Sequence, residues 1–247
     1  VNGQNEMAAA FILARFEASD IHMQDVLDNP SLLEEFQGLA ACGGFSYGDV
    51  LGAGGGWSSS IRYNNGVRDA FEHFFNRDET FTFGVCNGCQ MLSNIKDLIP
   101  GAENWPEFLW NESDQFEARL SQVTIAQSKS VLLDGMEGWQ IPVAVAHGEG
   151  RASFAENALK LLSDQHQIAV QFTDNKGVVA SSYPLNPNGS PEGITGLTST
   201  DGRATIMMPH PERVFRSQQL SWKPYRWKEY SPWMQIFLNA YKFAKES

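Results

Sequence analysis

Positive charge is scarce: 18 Lys and Arg stand against 29 Asp and Glu, a formal balance of -11. A surface of that sign argues against nucleic acid or anionic lipid as the partner, while leaving room for a local pocket that takes a small substrate. Cysteine is scarce too. Cys42, Cys86 and Cys89 are too few, and odd in number, for a disulfide framework, which points to a reducing, cytosolic compartment. No apolar run reaches the roughly 20 residues that a membrane-spanning helix needs. Nothing near the start has the order of a signal peptide, and no segment is repeated or of low complexity. Matches to the glycosylation sequon at Asn111 and Asn188 are three-residue patterns that recur by chance. The chain starts at Val1 and runs almost at once into an Ala-rich helical stretch, so a piece of a longer polypeptide is expected. Its 247 residues are enough to bury one sizeable core.

Helix formers without a breaker fill Gln4 to Phe16. Asn29-Pro30-Ser31 opens a short helix, with Ser31 as its cap. Leu39 to Cys42 reads as a buried strand that ends in Gly43-Gly44. Gly48 to Gly56 is a loop, and Ser58 to Phe75 is helical. The β-branched and aromatic run Thr80 to Val85 is a strand, Cys86 stands at its end, and Asn87 to Leu98 has helical spacing. Beyond Phe116 the texture changes to alternating apolar and polar residues. FEARLSQVTI, QIPVAVA, IAVQFT and GVVASSY are expected strands, and RATIMM is another that leads into Pro209-His210-Pro211-Glu212. Ser231-Pro232 caps a terminal helix. The pattern predicts an α/β fold: a central, mostly parallel sheet flanked by helices, with an added antiparallel β region.

Gly84-Val85-Cys86-Asn87-Gly88 carries the sharpest chemical signal. A nucleophile between a strand and a helix sits on a tight turn that flanking glycines keep free of clashes. The helix start offers free N–H groups and a positive dipole end, which favour thiolate and can hold an oxyanion. The alternative is that Cys86 is a small buried apolar residue at a strand end. Of five histidines, His22, His73 and His166 lie among polar residues and read as solvated. His210 follows a strand and is fixed between two prolines. In an extended segment Glu212 shares its face and can orient its ring; a proline-stiffened turn with a solvent-facing Glu is the other reading. Cys86 and Cys89 also spell C-x-x-C, a redox pair or half a zinc site, but no further paired ligands complete the metal site. The glycine-rich loop after Cys42 lacks the Gly-Lys-Ser/Thr of a phosphate loop.

Taken together, ACGGFSYGDVLGAG, GVCNGCQM, AVAHGEGR, NPNGSPEGIT and IMMPHPERVFR resemble the class I glutamine amidotransferase domains. The likeness extends over nearly the whole chain, so residues 1–247 are expected to form one glutaminase domain. The first and last of these segments are similar to those of formylglycinamide ribonucleotide amidotransferases (phosphoribosylformylglycinamidine synthases) of the long single-chain type, whose carboxy-terminal part is the glutaminase. The resemblance implies Cys86 as nucleophile, His210 as general base, Glu212 as its orienting partner, and the amides of Gly44 and Asn87 as oxyanion donors. Gln90 and the segment His147-Gly148-Glu149 match substrate-lining positions, though His147 also reads as a satisfied strand-end residue. It further implies glutamine as substrate, no metal or organic cofactor in this domain, and ATP and Mg²⁺ in an upstream synthetase domain. A first hydrophobic strand of the sheet precedes the matching segment in that family and is missing here. A γ-glutamyl or peptide hydrolase on the same fold, and a redox or binding module built on Cys86 and Cys89, are the competing expectations. The aromatic residues Trp222, Tyr225, Trp227, Tyr230 and Trp233 suit either an interface or a cover over the core.

Overall fold

The computed structural model describes residues 2–247; Val1, where the sequence starts, lies outside them. In chain order the elements are α1 (Gln4–Leu13), α2 (Met23–Asp28), β1 (Gly38–Ala41), α3 (Gly55–Arg62), α4 (Asn65–Asn76), β2 (Phe81–Val85) and α5 (Asn87–Asn94). There follow β3 (Glu107–Leu109), β4 (Glu117–Ile125), β5 (Gln140–His147), β6 (Arg151–Ser153), α6 (Ala158–Asp164), β7 (Ile168–Phe172), β8 (Ile194–Thr198), β9 (Ala204–Met207) and α7 (Met234–Glu246). The fold is α/β, as expected. Seven strands form one sheet in the order β1-β2-β9-β8-β7-β4-β5. The pairings of β1 with β2 and of β2 with β9 are parallel, and the remaining four are antiparallel. The expected antiparallel region is therefore a continuation of the same sheet. Strands β3 and β6 pair separately.

The pleat of β2 decides which helix lies on which face. Phe81 and Phe83 point to one side, where Phe11 of α1 and Phe237 of α7 meet edge-on at 5.0 Å and Phe83 touches Phe237 at 6.3 Å. Thr82 and Gly84 point to the other side, which carries α5. A methyl on Gly84 would stand 2.5 Å from Leu92 Cδ1, and one on Gly88 would stand 2.0 Å from the Ala41 carbonyl oxygen. Helix α5 thus lies against β1 and β2 closer than side chains at those two positions would permit. Helix α4 buries Val67, Phe71, Phe74 and Phe75, an i, i+4, i+7, i+8 stripe, and Asn64 caps it by accepting the Val67 N–H at 3.2 Å.

Several boundaries depart from the sequence reading. The helical stretch Ser58 to Phe75 is two helices broken at Tyr63-Asn64, and α3 already begins within the expected glycine loop. The turn at Pro30–Glu35 is 3₁₀, with Asn29 in place of Ser31 as its cap, and α2 before it was not foreseen. GVVASSY forms no strand: it contributes only an isolated bridge between Thr173 and Val179. The terminal helix starts two residues later than expected, with Trp233 at the cap position, and the Ser231 hydroxyl accepts the Trp233 N–H at 3.3 Å in the turn before it. Of the late aromatics, Trp233 is fully buried and donates from Nε1 to the Pro142 carbonyl at 2.8 Å. Trp222 and Tyr225 are exposed.

The contact of α5 with β1 gives a sign test. Gly→Ala in an unhindered helix stabilises by about 0.5–1 kcal/mol. Gly88→Ala is instead expected to destabilise by about 1–3 kcal/mol, the range for forced overpacking, because the obstacle is backbone. Chemical denaturation monitored by circular dichroism measures it; an unchanged or raised midpoint would contradict the packing described.

Candidate active site

Cys86 sits between β2 and α5 with φ 52° and ψ -111°, a conformation that costs a non-glycine residue about 1–3 kcal/mol. Two hydrogen bonds pin it. Its N–H reaches the Met207 carbonyl of β9 at 2.9 Å, and its carbonyl accepts the Gln90 N–H at 3.0 Å. The thiol, 7 % exposed, also lies 3.8 Å from the Ala146 carbonyl. This is the strand–turn–helix placement expected of a nucleophile.

His210 arrives from the end of β9 and is bound to β5, its N–H donating to the Ala144 carbonyl at 2.8 Å. His210 Nδ1 and Glu212 Oε1 are 2.6 Å apart, and both side chains are fully buried. The two meet for a different reason than the sequence suggested. Pro211–Arg213 form a 3₁₀ turn, so the chain is bent and not extended where Glu212 curls back under the ring. Glu212 is buried and not solvent-facing, which removes the bland reading of this segment. The bond to Glu212 assigns the Nδ1 proton, so Nε2 is the nitrogen that gains or loses a proton. A methyl on Gly43 would stand 2.5 Å from His210 Cε1 and 3.1 Å from Cys86 Cβ. The loop after β1, the elbow and the histidine therefore converge on one point.

The second wall comes from β5. His147 is buried, and its Nε2 lies 2.7 Å from Asn188 Oδ1. Asn188 Nδ2 donates to the Gly150 carbonyl at 2.8 Å, so Oδ1 must face the ring and His147 Nε2 must carry the hydrogen. Nδ1 then presents its lone pair, and the ring interacts with the Cys86 thiol, as does that of His210. Asn111 braces the turn: its Nδ2 donates to the His147 carbonyl at 2.8 Å, its Oδ1 accepts the Gly150 N–H at 3.0 Å, and its N–H bonds the Gly148 carbonyl at 2.8 Å. Both sequon asparagines are thus fully engaged inside the protein. Sequence reasoning missed them as site residues; the signal available was only that an Asn side chain can satisfy a backbone donor and a backbone acceptor at once.

Gln90, on α5, donates to the Glu149 carbonyl at 2.6 Å, and Glu149 Oε2 accepts the Ala53 N–H at 3.1 Å. Both side chains, expected at the substrate, hold the walls together here. Gly44 adopts φ 94° and its carbonyl accepts from Asn87 Nδ2 at 2.7 Å. Gly43 turns its carbonyl to the Asn2 N–H at 3.1 Å, so the Gly44 N–H leaves on the opposite side of that peptide. Neither this N–H nor that of Asn87 finds an acceptor among the described residues. His22, His73 and His166 are exposed. No three His, Cys, Asp or Glu side chains among the described residues group as metal ligands.

Electrostatics separate the three cysteines. Burial pushes the Cys86 thiol up, but the adjacent His147 and His210 rings outweigh it, leaving it at about 6. Burial, helped by the Glu212 charge, pushes Cys42 up to about 12, and burial raises Cys89 well above the usual thiol range. Burial pulls His210 down, yet the Glu212 charge, the hydrogen bond to Glu212 and the neighbouring Cys86 thiol lift it to about 9. Between about pH 6 and 9 the pair is therefore thiolate and imidazolium. Alkylation of Cys86 by iodoacetamide is expected to rise through pH 6 and be near its plateau at pH 7. In His210→Gln the rise moves to higher pH, slowing the pH 7 reaction by on the order of tenfold or more. A wild-type profile that stays flat until pH 8 to 9 would contradict this arrangement.

The chain matches the family model described as CobB/CobQ-like glutamine amidotransferase domain over residues 1–244. Its fold is similar to that of PurLQS from Thermotoga maritima, with a TM-score of 0.71 and 21 % identity, covering 98 % of this chain and 93 % of the other. The glutaminase domain of Trypanosoma brucei CTPS, solved with bound acivicin, is similar with a TM-score of 0.54 and 12 % identity, covering 98 % of this chain and 88 % of the other. Among the described residues no helix is long and apolar enough to cross a membrane. The chain belongs to the CobB/CobQ-like glutamine amidotransferase domain family and is a glutamine amidotransferase.

Proposed function

We propose that this chain is the glutaminase part of a phosphoribosylformylglycinamidine synthase, and that Cys86, His210 and Glu212 are its catalytic triad. The observation that carries the reading is the elbow cysteine whose thiol is lowered to about 6 beside a histidine held by a fully buried carboxylate at 2.6 Å. The sequence segments around Gly43 and His210 favour this purine-pathway enzyme over other glutaminases, and the likeness in fold to PurLQS is in keeping with it.

In this mechanism the Cys86 thiolate attacks the side-chain carbonyl carbon of glutamine. The negative charge that develops on oxygen is held by the Gly44 and Asn87 N–H groups, each donor of this kind being worth about 2.7–4 kcal/mol. The tetrahedral intermediate collapses as His210 hands its Nε2 proton to the departing nitrogen. Ammonia leaves, and a γ-glutamyl thioester remains on Sγ. A water molecule then gives a proton to His210 and attacks the thioester, and glutamate departs with regeneration of thiolate and imidazolium. Glu212 keeps the ring oriented and stabilises its charged form throughout. Gln90, His147, Gly148 and Glu149 line the glutamine site. No metal or organic cofactor enters this half-reaction. Ammonia passes to the partner synthetase domain, which uses ATP and Mg²⁺ to convert formylglycinamide ribonucleotide to the amidine, and the site of action is the cytoplasm.

In the complete enzyme, Cys86→Ser is expected to lower glutamine-dependent synthesis by at least about 10³-fold while leaving ammonia-supported synthesis within about twofold. Steady-state assays with each nitrogen source check this, and persisting glutamine-dependent turnover would remove Cys86 from the role of nucleophile. Release of glutamate from γ-linked peptides would favour a hydrolase on the same fold. A reversible Cys86–Cys89 disulfide in place of labelling by a glutamine-mimicking chloroketone would favour a redox module.

A further inference from the structure

The loop that carries Gly44 bears one carboxylate that the mechanism above leaves unused. Asp49 lies half-buried at the start of a 3₁₀ turn, Asp49–Leu51, that follows Gly48. Its two oxygens accept from four donors. The Ser46 N–H bonds Oδ2 at 2.6 Å and the Ser46 hydroxyl bonds Oδ1 at 2.8 Å. The Gly54 N–H bonds Oδ1 at 3.3 Å, and Asn87 Nδ2 approaches Oδ2 at 3.4 Å. The first two bonds make a local turn of the kind Asp forms in many loops. The last two do not: one comes from the entry to α3 and the other from the first residue of α5.

The Asn87 bond joins Asp49 to the chemistry. The Asn87 amide nitrogen has two hydrogens, one directed to Asp49 and the other to the Gly44 carbonyl at 2.7 Å. Fixing that carbonyl holds the Gly44–Phe45 peptide, which adjoins the Gly43–Gly44 peptide whose N–H is the proposed oxyanion donor. The far end of the loop is clamped as well, since a methyl on Gly54 would stand 2.6 Å from the Met91 N of α5. A carboxylate beside oxyanion donors would repel the developing charge unless its own charge were already taken up by donors, and four donors do that here.

We propose that Asp49 is a positioning residue of the oxyanion hole, acting through Asn87 Nδ2 on the Gly44 peptide. This rests on the glutaminase reading and deepens it. It implies a dependence on Asp49 for reactions at Cys86 that build negative charge on a carbonyl oxygen, and none for reactions that do not. A glutamine-mimicking chloroketone passes through a tetrahedral oxyanion when it is attacked by the thiolate. Iodoacetamide alkylates the thiolate by simple displacement of iodide at a saturated carbon, with no charge placed in the hole.

With the full chain, the maximal rate of Cys86 inactivation by the chloroketone is expected to fall about 10- to 100-fold in Asp49→Ala, with the concentration for half-maximal rate changed by less than about threefold. Iodoacetamide alkylation at pH 7 should stay within about twofold of wild type. Asp49→Asn should resemble Asp49→Ala despite its size, because its NH₂ faces donors where an acceptor is needed. Asn87→Ala, which cuts the relay while sparing the turn, should give a similar loss, and the double variant should lose little more. An unchanged chloroketone rate in Asp49→Ala, or equal slowing of both reagents, overturns the inference, the latter assigning Asp49 to loop folding alone. A wild-type chain that the chloroketone does not label at Cys86 overturns the glutaminase reading itself.

Discussion

The backbone of Cys86 is held at φ 52° and ψ -111° by forces that come from outside it. On one side the strand pairing of β2 with β9 continues one residue further, through the Cys86 N–H and the Met207 carbonyl at 2.9 Å. On the other side α5 lies so low on the sheet that Gly84 and Gly88 can have no side chains. Strain of about 1–3 kcal/mol persists because relaxing it would mean breaking the ladder or lifting the helix. The functional consequence is geometric: the thiol is thrown off the strand end toward β5 and the end of β9, which carry the two histidines.

Around that thiol the usual rule for buried polar atoms is broken. Among the described residues ten buried side-chain N and O atoms lack a hydrogen-bond partner, and four of them are Asn87 Oδ1, His147 Nδ1, His210 Nε2 and Glu212 Oε2. In folded proteins such atoms are rare because each costs roughly 1–3 kcal/mol. Their concentration where loop, elbow and strand ends meet marks the place that a hydrogen-bonding ligand would complete. His147 and His210 each spend one ring nitrogen on a fixed protein partner, Asn188 and Glu212. Each therefore offers the other nitrogen to the same sulfur or to whatever that sulfur attacks.

The parts legible in the sequence were those whose cause is local. TFTFGV could only be a buried strand, and all five residues of β2 are buried. Glycines flanking Cys86 announced a tight turn, and two prolines announced a stiff segment at His210. What could not be read was set by distant partners. GVVASSY has the composition of a strand but ends beside the loop that holds Asn188, and among the described residues its one strand bridge is that of Val179 to Thr173. Strand β8 contains Gly196 and is short, so its signal was weak; β3 and β6 have only three residues each. The meeting of His210 and Glu212 was expected for the wrong reason, because a Pro-initiated 3₁₀ turn also brings a side chain two residues on beneath the ring. Asn111 and Asn188 looked like surface sequons. Their burial follows from the backbone groups of His147, Gly148 and Gly150, which no local pattern reveals.

A buried thiolate, imidazolium and carboxylate in a row would carry net negative charge, which a low-dielectric site tolerates poorly unless it is paired. The next residue supplies the missing sign. Arg213 Nε stands 3.7 Å from Glu212 Oε1, and the same side chain bonds Asn2 Oδ1 at 3.2 Å. The charges then alternate from Cys86 through His210 and Glu212 to Arg213, ending at a partly exposed guanidinium that water can reach. Within the row Glu212 raises His210, and the raised imidazolium lowers Cys86. The His-Pro-Glu-Arg order is thus a chain of electrostatic dependence folded into a single turn. Its last link ties the thiol to Asn2, whose N–H is also bound to the Gly43 carbonyl at 3.1 Å. Asn2 therefore connects the charged row to the peptide that orients the proposed oxyanion donor, and the two halves of the chemistry share one anchor.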